Sequence, residues 1–485
     1  MARFEIPDGC VVQAYRFALD PTPTQIEAFL SHVGGARFAY NVMLAAVKAN
    51  LDQRAAERSY GIAEADLTPW LGWSFQALRN DFNRRKHTLA VRADGKPWWT
   101  QNSKETYANA CRALAAGLSN WDASRKAARG GPRMGFPRFK TKTGAVKKFS
   151  FSTGAIRVDA DRRHVTLPRL GSIRTHESTR KLARRIEVGS ARILRATVRF
   201  ERGRWQVSLT CLVARQCGRP AHVRPGAAVV GIDAGVKDLL VVADTDGNEL
   251  SRHRAPRELK SAQRKLCALQ RKAARQVGPW DQDSASRREP SHGWRHTQGE
   301  LARTHARVAN LRADRIHKLT TTLAQSHAVI SVETLAIKYM MAAGGARKRG
   351  LNRAFADAGL GELIRQLDYK SGWYGSQLVK ADRWFPSSKT CSGCGVVKAK
   401  LPLAERTYEC DGCGLVIDRD LNAAVNLARH AQQQETDPSA GVVTGGADHK
   451  TSPGEAGGNE TRTRTAVGDN ADDGGSASPH EGKAA

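Results

Sequence analysis

Two cysteine pairs limit what the C-terminal part of this chain can become. Two residues separate Cys391 from Cys394; fifteen residues follow, and Cys410 and Cys413 repeat the pattern. The pairs read CSGCG and CDGCG. This is zinc-ribbon spacing, in which four thiolates close a tetrahedral shell and leave no position open for substrate. Zinc held by Cys391, Cys394, Cys410 and Cys413 would therefore be structural. The glycines let the backbone turn tightly, so that amides can face the thiolates. A redox CxxC pair is the weaker reading, because two pairs stand at ribbon spacing. The remaining cysteines, Cys10, Cys111, Cys211, Cys217 and Cys267, show no spacing logic and read as ordinary thiols.

Charge is the second constraint. The 485 residues carry a net charge of +30, and it is uneven. Residues 431–485 hold nine acids against four bases, which leaves +35 on residues 1–430. An excess of that size calls for a polyanionic partner, nucleic acid first, with a merely solvated basic surface as the bland alternative. No apolar run approaches the roughly 20 residues of a membrane span. MARFEIPDGC lacks an apolar signal core, so a cytoplasmic protein with no membrane partner is expected.

A strand pattern covers residues 13–19, and DPTPTQ then reads as a helix start, with a stripe of Ile26, Phe29, Leu30 and Val33. Gly34 and Gly35 predict a break, followed by a second helix carrying Phe38, Asn41, Val42 and Ala45. Further helices over 74–82 and 106–128 make the first third mostly helical. From there, Arg133, Arg138, Lys140, Lys142, Lys147 and Lys148 interleave with Phe136, Phe139, Phe149 and Phe151. That mixture suits nucleic acid, cations pairing with phosphates while rings stack on bases; the alternative is a basic loop with core phenylalanines. Short strands over 155–158, 164–167, 192–201 and 204–212 predict a small β-module, either a barrel or a sheet.

An α/β region follows. An apolar strand over 228–232 ends on Asp233; LLVVAD and a TDGNEL turn come next. Basic helices over 257–275 and 298–325 flank a polar linker at 277–294. The strand HAVISVET ends at Glu333. A helix over 360–374, a strand in SQLVKADRW and a helix from about 420 to 431 complete the region, and beyond it disorder is expected. One strand-end carboxylate is usually a turn or cap residue. Several on separate elements of one α/β region gather where open sheets hold their sites. Clustered acids repel, so they need cations. Mg²⁺ takes oxygen ligands, and two such ions about 4 Å apart can activate water against a phosphodiester. A Gly-x4-Gly-Lys-Ser/Thr loop and a nucleophilic tyrosine beside His-hydrophobe-His are both missing, which disfavours ATP hydrolysis and strand-joining transposition.

GIDAG, VISVETL, WFPSSKTCSGCG…YECDGCG and DRDLNAAVNLA occur in this order, preceded by YRFALDPTPTQ…GGARFAYN and FPRFK. Over about residues 13–430 the chain resembles the TnpB family of transposon-encoded, RNA-guided nucleases and the miniature type V CRISPR effectors related to it. The resemblance implies an α+β multidomain protein. Its parts would be a RuvC-like, RNase H-fold α/β nuclease domain with an inserted zinc ribbon, an N-terminal helical recognition lobe and a small wedge-type β-barrel. The implied boundaries are 1–20 and 131–225 for the wedge, 21–130 for the recognition lobe, 226–385 for the nuclease and 386–417 for the ribbon. Residues 418–432 would be the last nuclease helix and 433–485 a disordered acidic tail. Implied catalytic acids are Asp233, Glu333 and Asp420, holding Mg²⁺ as two ions. Residues two apart on a helix point about 200° apart, so only one of Asp418 and Asp420 would face the metals. The family pattern selects Asp420 and leaves Asp418 to cap the helix. Guide RNA and a double-stranded DNA target are the implied partners, with base pairing carrying specificity. All three acidic positions are filled, which favours cutting over a guide-directed repressor. The linker at 277–294 is longer and more polar than the pattern, and reads as a surface loop or an extra RNA contact.

Overall fold

The computed structural model describes residues 5–152, 156–215, 228–278, 280–281, 286–287, 290–342, 346–402 and 404–436. Most of the expected tail, and part of the 277–294 linker, lie outside the described residues.

The chain begins with β1 (Cys10–Asp20), then α1 (Pro23–Ser59), α2 (Phe75–Leu89) and α3 (Lys104–Arg125). Thr22 caps α1 through a reciprocal pair of bonds with Gln25, and Pro23 opens the first turn. The break expected at Gly34 and Gly35 does not occur; α1 is one 37-residue helix. A Cβ on Gly35 would come within 2.9 Å of the Tyr107 ring on α3. The glycine thus serves a close helix crossing, not a turn. With the helix unbroken, its buried stripe is Ala39, Tyr40, Met43, Leu44 and Val47, packed on Leu78, Phe82, Leu114 and Leu118. Leu30, expected in the apolar stripe of the first helix, is exposed.

An antiparallel sheet follows from β2 (Lys148–Phe151), β3 (Arg157–Val158), β4 (His164–Leu167), β5 (Gly171–Thr175), β6 (Ala191–Glu201) and β7 (Arg204–Ala214), with α4 (Arg180–Glu187) after β5. With β1 the strand order is β2-β6-β7-β1-β5-β4-β3. β1 serves two partners, pairing β7 through Ala18 and β5 at Leu19 and Asp20. Strand alternation sends Trp205, Val207, Leu209, Cys211 and Val213 inward, where they meet Phe149 and Phe151. No ladder joins the edge strands β2 and β3 among the described residues.

The α/β region comprises β8 (Val229–Asp233), β9 (Asp238–Ala243), β10 (Glu249–Arg254), α5 (Glu258–Arg275), a two-residue ribbon of β11 (Trp280–Asp281) and β12 (Ser286–Arg287), α6 (His292–Ser326), β13 (Val329–Glu333), α7 (Ile337–Met340), α8 (Ala346–Ala358), α9 (Leu360–Tyr374), β14 (Gln377–Ala381), β15 (Thr407–Glu409), β16 (Val416–Asp418) and α10 (Arg419–Thr436). The sheet order is β10-β9-β8-β13-β14; β8, β9 and β10 are antiparallel, whereas β13 runs parallel to β8 and β14. One face packs Val230, Ile232, Leu240 and Val332 against Leu323 of α6 and Leu363 and Leu367 of α9. On the other, Val241 and Ala243 meet Ala424 and Val425 of α10. Gly231 lets α10 lie directly on β8, since a Cβ there would fall 1.9 Å from the Ala424 carbonyl oxygen. No described helix is long and apolar enough to cross a membrane.

Candidate active site and metal centre

The cysteine cluster is built by one turn used twice. Cys391 N–H bonds to Val396 O and Gly395 N–H to Cys391 O; Cys410 N–H bonds to Leu415 O and Gly414 N–H to Cys410 O. Gly395 and Gly414 adopt left-handed φ values of 78° and 74°, which explains the last glycine of each pair. The amides of Gly393 and Gly412 donate to the sulfurs of Cys391 and Cys410, each at 3.3 Å. Amides of Cys413 and Gly412 bring the Cys410 thiol down to about 6. All four sulfurs lie within 4.8 Å of one another. Buried Tyr408, on the β15–β16 hairpin, fills the middle of this small core. Four convergent sulfurs with amide donors fit a tetrahedral zinc site. Among the other cysteines, Cys111 and Cys211 are buried and burial pushes both thiols up to about 12, as ordinary core thiols should be; Cys217 lies outside the described residues.

Three acids come together from remote stretches. β8 and β13 are in register through Ile232 and Val332, so Asp233 and Glu333 emerge side by side at the C-terminal ends of parallel strands. Asp420 lies in the first turn of α10, whose seat on β8 is set at Gly231. Burial, then the charges of Glu333 and Asp420, hold the Asp233 carboxyl well above the usual carboxylate range. Glu333 accepts a hydrogen bond from the Ser387 hydroxyl. Asp420 is 15% exposed, with the Arg406 guanidinium 3.8 Å away. Among the described residues, only the cysteines bring three or more donor atoms all within 4.8 Å; the acids converge without reaching that distance.

Asp418 does something else. Its Oδ1 accepts the N–H groups of Asp420 and Leu421 and the Arg252 guanidinium, at 3.1, 3.0 and 3.0 Å. It is the cap of α10. Burial pushes its carboxyl up, but the Leu421 N–H and Arg252 outweigh this and hold it below the usual value. Arg252 also pairs with Asp238 and Glu249, fixing the start of α10 to β9 and β10.

A polar seam joins the two centres. Asn422 and Asn426 lie four apart on one face of α10. Asn426 donates to the Ser387 and Thr390 carbonyls at 2.8 and 2.7 Å; Asn422 donates to Thr390 O at 2.7 Å and accepts from Ser392 N–H at 2.9 Å. The strap leading into the ribbon is thereby clamped to the helix bearing Asp420, while its Ser387 holds Glu333. Sequence reasoning missed these residues; the repeated asparagines of DLNAAVNLA and the serines of FPSSK were the available signals.

The basic segment is only partly as expected. Arg133, Arg138, Lys142, Lys147 and Lys148 are exposed. Lys140 is half-buried over the Tyr40 ring, 3.6 Å from its centroid, and burial with the Lys148 charge lowers it to about 8. Asn41 pins the backbone of Lys140 with two bonds of 2.9 Å. Phe149 and Phe151 are core residues and Phe136 packs on Trp121, so these rings are not available to bases. The alternation of β2 turns Phe149 and Phe151 inward; of the four phenylalanines, Phe139 alone is exposed. A second basic surface was missed: an open groove of about 820 Å³ between α5 and α6, lined by Arg254, Arg257, Lys265, Arg303, Arg307 and Arg315.

Family models match the chain in three places: a "Cas12f1-like, TNB domain" over residues 361–427, a "Probable transposase" (OrfB, IS605) over 212–343, and a "Helix-turn-helix domain" over 11–55. Over 11–55 the structure is β1 followed by the single helix α1. A Mycobacterium tuberculosis H37Rv protein named "Putative RNA-guided DNA endonuclease Rv2885c" is 41% identical over 473 residues, covering 96% of each chain. InsQ of Escherichia coli K12, named in the same words, is 27% identical over 87% of this chain and 93% of its own. A "TnpB-like protein" of Acanthamoeba polyphaga mimivirus is 31% identical over 130 residues, 27% of this chain and 24% of its own. With near-complete coverage at 41% identity, and with IS605 OrfB models matching residues 11–55 and 212–343, this chain belongs to the TnpB family.

Proposed function

We propose that the protein is an RNA-guided, Mg²⁺-dependent DNA endonuclease with one RuvC-like site formed by Asp233, Glu333 and Asp420. The observation that carries the reading is the convergence of Asp233 and Glu333 at parallel strand ends with Asp420 at the start of α10, where burial first, and then the charges of Glu333 and Asp420, hold Asp233 toward its neutral form. Such a donor set is unfavourable alone and suits a hard divalent cation, with two ions the expected number. Mg²⁺ held there would supply Lewis-acid stabilisation of a phosphodiester oxygen and a water activated for attack. The chain's own part is positional. Ser387 orients Glu333, Arg252 and Asp418 fix the start of α10, and Gly231 sets the depth of Asp420. Zinc on Cys391, Cys394, Cys410 and Cys413 is structural.

The strand order β10-β9-β8-β13-β14 supports an RNase H-like nuclease domain over 226–385, closed by the helix of 418–432 after a ribbon at 386–417. Residues 21–130 would be the recognition lobe, and 1–20 with 131–225 the wedge. Guide RNA and double-stranded DNA are the partners that account for +35 on residues 1–430. Arg133, Arg138, Lys142, Lys147 and Lys148, with the groove between α5 and α6, are the proposed phosphate contacts.

The test is to purify the protein with its native flanking locus, sequence the bound RNA and add matched duplex DNA with Mg²⁺. A defined RNA with guide-matched cleavage, reduced at least on the order of 10⁴-fold by Asp233→Ala, is expected. Tight guided binding without cleavage would replace the nuclease with a guide-directed repressor. Recovery of no defined RNA would overturn guidance altogether.

A further inference from the structure

An aromatic surface stands beside the carboxylates, and packing does not account for it. β14 ends at Ala381, the register partner of Glu333. Asp382 then turns the chain, its Oδ1 accepting the Trp384 N–H at 2.8 Å. Phe385 goes inward and stacks on His430 of α10, with centroids 4.5 Å apart and planes at 25°. Two residues later Ser387 reaches Glu333. Trp384 is held outward by a loop anchored on both sides, and it is 80% exposed. Tyr339 of α7, on the segment that follows Glu333, is 70% exposed. Arg383 serves both rings: its guanidinium carbon lies 5.1 Å from the Trp384 centroid and 5.9 Å from that of Tyr339.

Holding a tryptophan this far into water forgoes the burial its ring would otherwise gain. A ligand that restores it must present flat faces to the two rings and negative charge to Arg383. Nucleobases on a phosphodiester backbone do both. In a duplex the base faces are covered by their neighbours, so only an unpaired strand can offer them. The loop is continuous with Glu333 through Ala381 and Ser387, which favours the strand that is to be cut over the strand that guides. We propose that Trp384, Tyr339 and Arg383 form a stacking platform that receives unpaired DNA next to Glu333 and leads it to the carboxylates. The proposal rests on the nuclease reading above and adds the side chains that would hold the strand beside Glu333.

The experiment uses the full-length, RNA-loaded protein in EDTA and a fluorescent single-stranded DNA oligonucleotide unrelated to the guide. Affinity is read by anisotropy at moderate salt, and bound RNA and Tm are measured in the same preparations. Trp384→Ala is expected to weaken oligonucleotide binding about tenfold or more, with RNA content and Tm unchanged. Trp384→Phe keeps a stacking ring and should recover most of the loss, while Tyr339→Ala should show a smaller defect. Unchanged affinity in Trp384→Ala would overturn the platform. So would a loss of bound RNA in that variant, because the rings would then belong to the guide. Binding in EDTA is independent of cleavage, so failure of the parent protein to cut would count against the proposed function and leave this measurement readable.

Discussion

The two candidate metal centres are built by opposite means. The cysteine centre comes from one short stretch, 391–413, in which the same backbone turn is made twice and amides already face the sulfurs. The acidic centre takes one residue from β8, one from β13 and one from α10, and nothing local holds them near one another. Thiols that keep most of their protons, with amides facing the sulfurs, can approach at little cost, whereas carboxylates repel; only packing elsewhere keeps the acids together. Here that packing is the seat of α10 on Gly231, reinforced by the asparagine seam. Local geometry suffices for the cysteine centre, while the acidic centre depends on packing across the whole domain.

The contrast can be broken most forcefully at Gly231. A Cβ 1.9 Å from the Ala424 carbonyl cannot be accommodated without lifting α10. Gly231→Ala should therefore destabilise the α/β domain by at least the roughly 1–3 kcal/mol of ordinary overpacking, as read by chemical denaturation. Zinc content, titrated with a chromogenic chelator, should stay at the parent level. If zinc is lost in step with the fold, the two centres are not separately built.

The seam is probed at Ser387. Ser387→Ala leaves Glu333 without its hydroxyl donor, and guided cleavage should slow about 10- to 100-fold. Bound RNA and zinc should not change, and Ser387→Thr should restore much of the rate. A parental rate in Ser387→Ala would mean that Glu333 is oriented by something else.

The smallest effect sharpens the comparison by isolating repulsion. Asp233 is held above its usual value in the folded protein, so the folded state keeps a proton that the unfolded chain releases near about pH 4. Stability of the metal-free protein must then fall as pH rises through the interval between the two values. Asp233→Asn removes that loss. Its metal-free Tm should exceed the parent's by a few degrees near neutral pH, with the gap closing as pH falls toward 4. Mg²⁺ should raise the parent's Tm and leave the variant's nearly unchanged. Equal melting of the two proteins across pH would show that the acids do not strain the fold.

Much of the molecule was legible in the chain because its signals are local. The span of α9 matches its periodicity residue for residue, and both cysteine turns follow from Cys-x-Gly-Cys-Gly. β8 and β13 end where an apolar run gives way to an acid. The errors came where a residue has two uses. Gly35 reads as a helix breaker, yet it makes room for the Tyr107 ring. Phe149 and Phe151 sit among lysines and look like base-stacking rings, yet the pleat of β2 buries them. Trp384, whose exposure matters most beside the acids, carried no local sign that it would face water.

By itself the sequence determined the strand ends on Asp233 and Glu333, the doubled turn of the cysteines and the excess of positive charge, since each depends on neighbours in the chain. The family pattern implies that Asp420 and not Asp418 turns to the other acids, but tertiary structure alone decided that Asp418 binds Arg252 as it caps α10 while the charge of Asp420 bears on Asp233. It alone decided that Ser387 holds Glu333 and that Trp384 is left outside. Those outcomes depend on which groups meet across the fold, and the free energy of such meetings is set by packing and charge between segments that share no local signal.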